Sequence, residues 1–404
     1  MTDIVAEPRL PLHIARTTML TKRQRVNRTI RREEIDYLPS QITLADRTRD
    51  KAIHQALGLP ADVTLDEHVG NHLVISLTKH DYPLFYRNDL ALMRQLEAEG
   101  CAKVDEENCV VYDSWGMGIR VGSDGFFACF HPLEKQQTEA FAERWMPARI
   151  REAVLAPTLE ERVRKWTPPD PDQPGIYDWM QRDIDRLGAE YFVFPSGYFG
   201  LFERSYGLLS IPTLLESMAT APSLVAELLE KITDYKLAVS RHVLRMDFDA
   251  LHCGDDMGTQ LGPFFSPRLF RDLLKPCYRR LWSTWKDAGK LVMLHSCGRV
   301  MDFLPDLVEI GLDVLEPVQP CNDLEVLKRE YGDRVTFWGG IDTQWLLPFG
   351  TPAQVRQEAA KVIRLLGKGG GHIIGPSQEV MKDVPLENIV ALLETIAAER
   401  YAWR

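Results

Sequence analysis

The chain has 404 residues, of which 45% are hydrophobic and 26% are charged, and its formal net charge is −10. The length suits one large α/β barrel or two average domains, and the acidic balance argues against a general nucleic-acid-binding or membrane-surface protein. The sequence shows no secretory signal, no run of 18 apolar residues, and seven scattered cysteines without a CxxC pair, so we expect a cytoplasmic protein with reduced thiols.

The N-terminal part of the chain has a less regular pattern than the rest. The basic segment "KRQRVNRTIRREE" (22–34) is typical of a solvated helix face, and "PSQITLAD" (39–46) predicts an early strand. The stretches "LVISLTKHDYPLFYRND" and "NCVVYDSWGMGIRVGSDG" predict strands of an inserted cap. We therefore expect a single domain over residues 1–404, elaborated over about residues 1–150.

Residues 188–404 alternate short strand-like runs with longer amphipathic segments. Helices are predicted after Ser266 and Thr351, each a capping residue followed by proline. The alternation indicates parallel strands with right-handed crossovers, and the number of units favours an α/β fold of the (β/α)8 TIM-barrel type. The strand-like runs are "YFVFPSG" (191–197), "ALHCGDD" (250–256), "KLVMLHSCG" (290–298), "LDVLEPVQP" (312–320), "RVTFWGGID" (334–342) and "GGHIIGPS" (370–377).

Side chains suited to chemistry collect at the predicted C-terminal ends of these strands, where barrels of this type carry their active sites. One strand ends with Asp255 and Asp256, and the next contains His295 and Cys297. Residues two apart in a strand share a face, so the imidazole and the thiol are expected to point the same way. Singly, such residues often cap helices or fill the core, but together they predict a metal site.

Zinc is the predicted metal, because imidazole and thiolate form a borderline-soft ligand set. A catalytic zinc takes three protein ligands and keeps one open position. His295 and Cys297 supply two ligands. Asp256, which lies farthest along its strand, is the first choice for the third, and Cys321 and Glu316 are the alternatives.

Further residues are candidates for catalysis and for substrate binding. Asp255, Asp256 and Gln319 stand at strand ends and are the catalytic candidates. His252 and Cys253 lie earlier in their strand and are expected to pack inside. Substrate could be bound by side chains around the mouth, with core packing as the alternative for the aromatic ones; these are Tyr198, Phe199, Trp115, Trp338 and Gln378.

Seven motifs between Gly254 and Asn388 together resemble the uroporphyrinogen decarboxylase superfamily. In chain order they are "GDDMGTQ", "SPRLFRDLLKPCYRRL", "LHSCGRV", "LPDLVEIGLDVLEPVQP", "LKREYG", "FWGGIDTQWLLPFGTP" and "VPLENI". The resemblance implies an (α/β)8 barrel. It also implies one of two activities, either cofactor-free decarboxylation of porphyrinogen acetate groups or zinc-assisted methyl transfer involving a corrinoid.

Two motifs distinguish these activities. The decarboxylases resemble one another in an early R-Q-A-G-R motif that binds substrate carboxylates, whereas this chain has only Arg47 and Arg49 in "QITLADRTRD". The methyltransferases resemble one another in H-x-C followed by a second cysteine, which together ligate zinc. His295 and Cys297 match the first part, but serine and glutamine stand in "IIGPSQEV" (373–380), where the second cysteine is expected.

The resemblance is therefore closer to the methyltransferase branch. It implies a zinc-assisted, corrinoid-dependent methyltransferase or demethylase that takes a methyl group from a small O-methyl or N-methyl compound. The corrinoid is expected on a separate protein, and a homodimer is typical of the family. The alternatives are a metal-free decarboxylase, which is a carboxy-lyase, and a non-catalytic homologue that binds a corrinoid or a folate.

Overall fold

The structure, a computed structural model, describes residues 19–123, 127–197 and 199–401. Its strands, in chain order, are β1 (Leu73–Ser76), β2 (Ala102–Asp105), β3 (Val110–Asp113), β4 (Gly118–Arg120), β5 (Ala128–Phe130), β6 (Phe192–Gly197), β7 (Ala250–Gly254), β8 (Leu291–His295), β9 (Val314–Val318), β10 (Thr336–Ile341) and β11 (His372–Pro376). Strands β1 and β6 to β11 form a curled parallel sheet in that order, and β2 to β5 form an antiparallel sheet.

Helices fill the connections between the parallel strands. Ser266 and Thr351 cap their helices as predicted, with side chains that accept the backbone N–H groups of Leu269 and Gln354. No helix in the described ranges is long and apolar enough to cross a membrane. The helices are α1 (Lys22–Ile30), α2 (Asp50–Ala56), α3 (Leu65–Val69), α4 (Tyr82–Tyr86), α5 (Leu90–Ala98), α6 (Glu139–Trp145), α7 (Arg151–Leu155), α8 (Leu159–Lys165), α9 (Asp178–Leu187), α10 (Phe202–Leu209), α11 (Ile211–Thr220), α12 (Pro222–Val243), α13 (Pro267–Leu269), α14 (Lys275–Asp287), α15 (Leu304–Glu309), α16 (Leu324–Tyr331), α17 (Leu346–Phe349), α18 (Pro352–Gly367) and α19 (Leu386–Glu399).

The strands predicted between residues 188 and 404 are confirmed as β6 to β11, whereas the earlier predictions are only partly correct. Residues 110–120 form β3 and β4 of the antiparallel sheet, as expected of a cap. Residues 73–76, also predicted as cap, instead form β1 of the parallel sheet. Leu73 and Ile75 pack inside the curl of that sheet and Val74 packs outward, so their apolar pattern reflects the core rather than an insertion.

The predicted strand at residues 39–46 is replaced by isolated bridges. Ser40 pairs with Ile374 and Leu44 with Val380, while the backbone N–H of His72 donates to the carbonyl of Ser40 at 3.2 Å. Regular pairing is interrupted because the side chain of Gln41 accepts the N–H of Leu73, taking the place of a backbone carbonyl. The structure therefore shows a curled seven-stranded sheet whose two edges both bond to residues 39–42.

Alternation along the parallel strands separates two apolar regions. Phe192 and Phe194 of β6, like Leu291 and Met293 of β8, belong to a cluster inside the curl. The intervening side chains pack outward against the helices. This period of two continues to the ends of the strands and directs His295 to the inner face.

Helix α1, expected as a solvated face, sends Arg25 into the protein. Its guanidinium lies 2.6 Å from Asp36 and 3.1 Å from Nε2 of His72. Because a guanidinium only donates, Nε2 accepts, and Nδ1–H of His72 therefore donates to the carbonyl of Ser40 at 3.1 Å. Burial, with a smaller effect from the Arg25 charge, lowers the pKa of His72 to about 3.

Because His72 is neutral in the folded protein, we expect acid to destabilise the contact between the two sheet edges. His72 binds a proton below about pH 6.5 in the unfolded chain but not in the folded chain. Its contribution to the free energy of unfolding is therefore complete above that pH and is lost as the pH falls towards 3. We expect His72 alone to lower the free energy of unfolding by about 2 kcal/mol between pH 7 and pH 5. Urea unfolding of the wild type and His72→Asn at both pH values measures the difference, and equal pH dependence in the two proteins would contradict it.

Candidate metal centre and active site

A cavity of about 530 Å³ opens inside the curl of the parallel sheet. Its inner wall carries apolar side chains, among them Phe194 and Trp338, whose rings meet edge to face at 6.3 Å. Residues 85–88, at the end of α4 and directly after it, contribute to another wall. The polar groups on the strand side of the cavity are those of His252, His295, Glu316, Gln378 and Glu379.

The register of the sheet brings the predicted metal ligands together. His295, the last residue of β8, is aligned with Gly254 of β7 and with Glu316 of β9. Asp256 follows the end of β7, and Cys297 lies in the turn after β8 rather than within the strand as predicted. The backbone N–H of Cys297 donates to Asp256 at 2.7 Å, which joins the two strand ends.

The donor atoms of Asp256, His295 and Cys297 have the separations of a tetrahedral zinc site. Oδ1 of Asp256 lies 3.3 Å from Nε2 of His295, and Sγ of Cys297 lies 3.6 Å from the same nitrogen. Tetrahedral coordination with ordinary zinc bond lengths separates oxygen from nitrogen by about 3.4 Å and sulfur from nitrogen by about 3.6 Å. The residues present therefore fit zinc.

Glu316 and His252 form a second layer behind His295. Oε2 of Glu316 lies 2.6 Å from Nδ1 of His295 and 3.3 Å from Nε2 of His252. The other nitrogen of His252 contacts Oγ of Ser196 at 3.0 Å. A carboxylate at Nδ1 holds the proton there and leaves Nε2 of His295 as the atom for a metal. These residues also form the second of two potential donor clusters found within the described residues.

The charges of the cluster favour a cation at the Nε2 side of His295. Burial lowers the pKa of His295, but Glu316, Cys297 and Asp256 outweigh burial and raise this pKa well above its usual value. Burial raises the pKa of Glu316, but the His295 charge and two histidine hydrogen bonds bring it down to about 2. Burial raises the pKa of the Cys297 thiol. Binding zinc requires loss of the protons on Nε2 and on this thiol.

Gln319 supports the turn that carries Cys297. Its Oε1 accepts the backbone N–H of Gly298 at 2.8 Å, and its Nε2 donates to the carbonyl of Ser377 at 3.2 Å. Gly298 itself has φ of +84°, and a β-carbon there would overlap the carbonyl group of Gly258. The side chain of Gln319, a predicted catalytic residue, is therefore placed to hold two loops in position.

Substituting Gly298 is expected to disturb the metal ligands without touching them. In Gly298→Ala, the left-handed backbone and the overlap with Gly258 together cost at least about 2 kcal/mol of stability or force the turn to move. Thermal unfolding measures the loss, and zinc titration detects the displacement of Cys297. Gly262→Ala, where a β-carbon meets open space, is the matched control. Wild-type stability and zinc affinity in Gly298→Ala would contradict the expectation.

Asp255, the neighbour of Asp256, faces away from the donor cluster. Its buried carboxylate accepts the backbone N–H groups of Leu201, Phe202 and Glu203 at 2.6–2.9 Å. The hydroxyl of Tyr278 also donates to it. Asp255 was a catalytic candidate, but these bonds place it at the N-terminus of α10, where a carboxylate caps the helix.

The predicted substrate-binding residues occupy different places. Trp338 and Gln378 line the cavity. Trp115 and Phe199 are buried in the core, where Trp115 packs against the rings of Trp166 and Tyr235, which supports the core-packing alternative for both. Tyr198 lies outside the described residues.

Among the cavity residues that were not identified from the sequence are His252, Glu379 and Arg87. His252 is buried, as expected, but its ring also lines the cavity; alternation from Ala250 puts it on the same inner face as His295, so that signal was available. Glu379 follows Gln378 on the cavity wall. Arg87 reaches the cavity from the segment after α4 and donates to the carbonyls of Leu84, Arg120 and Ser123, which no local motif indicates.

Comparisons with known proteins agree with this architecture. The family model described as uroporphyrinogen decarboxylase (URO-D) matches residues 154–399, more than half of the chain. A methylcobamide:CoM methyltransferase from Methanosarcina barkeri is 24% identical over 54% of this chain and 62% of its own length. A uroporphyrinogen decarboxylase from Coxiella burnetii is 23% identical over 43% of this chain and 47% of its own length.

The matched region therefore spans less than two thirds of either relative. The fold is shared over a longer stretch with the solved structure of a methyltransferase from Methanosarcina mazei. That structure superposes with a TM-score of 0.58 at 17% identity and covers 94% of this chain and 98% of its own.

Proposed function

We propose that this chain, which belongs to the uroporphyrinogen decarboxylase family, is a zinc-assisted, corrinoid-dependent methyltransferase. Its methyl donor would be a small O-methyl or N-methyl compound. The observation that carries the proposal is the convergence of Asp256, His295 and Cys297 at zinc-like separations beside a cavity. The methyltransferase among the relatives supports it, since its name contains a methylcobamide.

Zinc bound by these three residues would supply a Lewis acid for an oxygen or sulfur atom of the reacting molecule. Glu316 holds the ring of His295 by its Nδ1–H, so that Nε2 faces Asp256 and Cys297. Asp256 accepts the N–H of Cys297 with the same oxygen that faces His295, which keeps the three donors at a fixed spacing.

The cavity walls would orient the substrate. Phe194 and Trp338 offer aromatic faces that exclude water from one side of the site. Arg87 places a positive charge on the wall contributed by the cap. The cavity is larger than a small methyl donor needs. We propose that a corrinoid held by a separate protein approaches through its opening.

We also propose that the curled sheet is a closed eight-stranded barrel, with residues 39–44 as the remaining strand. The support is the hydrogen bonding on both sides of this segment. The N–H of Gln41 donates to the carbonyl of Ile374 at 2.8 Å, and the carbonyl of Ser40 accepts from His72 at 3.2 Å. A (β/α)8 barrel carries its catalytic groups at the C-terminal ends of its strands, which is where the donor cluster lies.

Metal binding provides the first test of this function. We expect stoichiometric zinc in the wild-type protein and a loss of zinc affinity of more than about 100-fold in Asp256→Ala, His295→Ala and Cys297→Ala, because each removes one of three ligands. Cys321→Ala is the matched control, since Cys321, an alternative ligand on sequence grounds, is a partly buried thiol outside both donor clusters found in the described residues. Elemental analysis and competitive titration with a chelating dye measure the affinity. Unchanged zinc binding in the three variants would reject the site.

Methyl transfer provides the second test. The zinc-loaded protein is mixed with cob(I)alamin and a panel of methanol, methyl ethers and methylamines, and the formation of methylcobalamin is followed by absorbance. We expect turnover with at least one donor and a loss of more than about 100-fold in His295→Ala, because the reaction depends on the metal. Cys321→Ala should retain the wild-type rate. Turnover that is independent of zinc would contradict the mechanism.

Metal-free decarboxylation is the second candidate, because decarboxylases are among the relatives. The arginines that the sequence offers for substrate carboxylates are poorly placed. Arg47 pairs with Asp66 at 2.9 Å through two parallel bonds and with Asp50 at 2.8 Å. Arg49 donates to the carbonyl of Lys382. Within the described chain neither lines the cavity. Carbon dioxide release from a porphyrinogen without metal would establish this function instead.

A further inference from the structure

The side-chain amide of Gln378 lies beside the sulfur of Cys297 in an orientation that its partners determine. Its Oε1 accepts the backbone N–H of Glu379 at 3.0 Å, and its Nε2 is 3.5 Å from Sγ of Cys297. A backbone N–H only donates, so the oxygen end of the amide belongs on Glu379 and the NH2 end faces the sulfur. The contact is therefore an N–H···S hydrogen bond from Gln378.

Ser377, the preceding residue, has a different environment. Its hydroxyl lies 3.2 Å from the hydroxyl of Thr343, its N–H donates to the carbonyl of Ile341, and its side chain is buried. Gln378 instead faces the cavity. Of these two neighbouring side chains, only that of Gln378 bonds to the donor cluster in the described structure.

We propose that Gln378 is a positioning residue of the metal centre, whose N–H···S hydrogen bond weakens Cys297 as an electron donor to the bound ion. Hydrogen bonds to a ligating sulfur stabilise its lone pairs and tune the metal. A less donating sulfur leaves the ion more electron-poor and strengthens its attraction for an oxygen atom of the substrate. This inference rests on the proposed function and deepens it, because it concerns the same donor cluster.

Cobalt(II) is the probe for this role, because its charge-transfer band reports how strongly a thiolate donates to the ion. The full chain is loaded with cobalt(II) in place of zinc. In Gln378→Leu, which keeps the size of the side chain and removes the N–H, we expect the thiolate band to shift to lower energy at unchanged intensity. Gln378→Ala is a second variant that also removes the N–H. Circular dichroism checks the fold of each.

Ser377→Ala is the matched control, because the side chain of Ser377 contacts Thr343 rather than the donor cluster. We expect its cobalt spectrum to match that of the wild type.

The outcomes separate the failure of this inference from the failure of the proposed function. A band that does not move in Gln378→Leu and Gln378→Ala overturns the role of Gln378 and leaves the metal site standing. The same shift in Ser377→Ala also overturns the assignment to Gln378. A wild-type protein without any thiolate band rejects the metal site, and with it the proposed function.

Discussion

The hydrogen bond of 2.6 Å between Nδ1 of His295 and Glu316 is the interaction on which the rest of the site depends. It selects the tautomer of the imidazole and turns its other nitrogen towards Asp256 and Cys297. Burying this many ionisable groups is costly unless they neutralise one another. The strand register makes that possible, because it aligns His295 with Glu316 across the sheet. A hydrogen bond from His252 then helps to fix the carboxylate in turn.

Adjacent acids at the end of β7 divide two tasks between them. Strand alternation sends Asp255 and Asp256 to opposite sides, so one carboxylate caps α10 and the other joins the donor cluster. The buried carboxylate of Asp255 accepts four hydrogen bonds and so holds the end of β7 in place, which fixes the position of Asp256. A catalytic assignment based on residue type alone treats the two acids as equivalent, whereas their surroundings make them different.

The local sequence pattern predicts many of the strands and helices. The features that it misses depend on contacts between segments far apart in the chain. Periodicity and caps were sufficient for β6 to β11 and for the helices after Ser266 and Thr351. Residues His295, Cys297 and Asp256 could be grouped because parallel strands end at one edge. Residues 73–76 were misplaced because an apolar run does not reveal which sheet it joins. The core position of Trp115 and the arrival of Arg87 at the cavity depend on how the cap packs, which no short motif encodes.

The contact between residues 39–42 and β11 has a consequence for how the protein is made. These partners stand near opposite ends of the described chain, so during synthesis the early segment must wait for almost the whole polypeptide to emerge before its contacts with β11 can form. Until then β10 presents an unpaired edge, which is a surface prone to association. A ribosome-bound intermediate thus carries an edge that a neighbouring chain can extend.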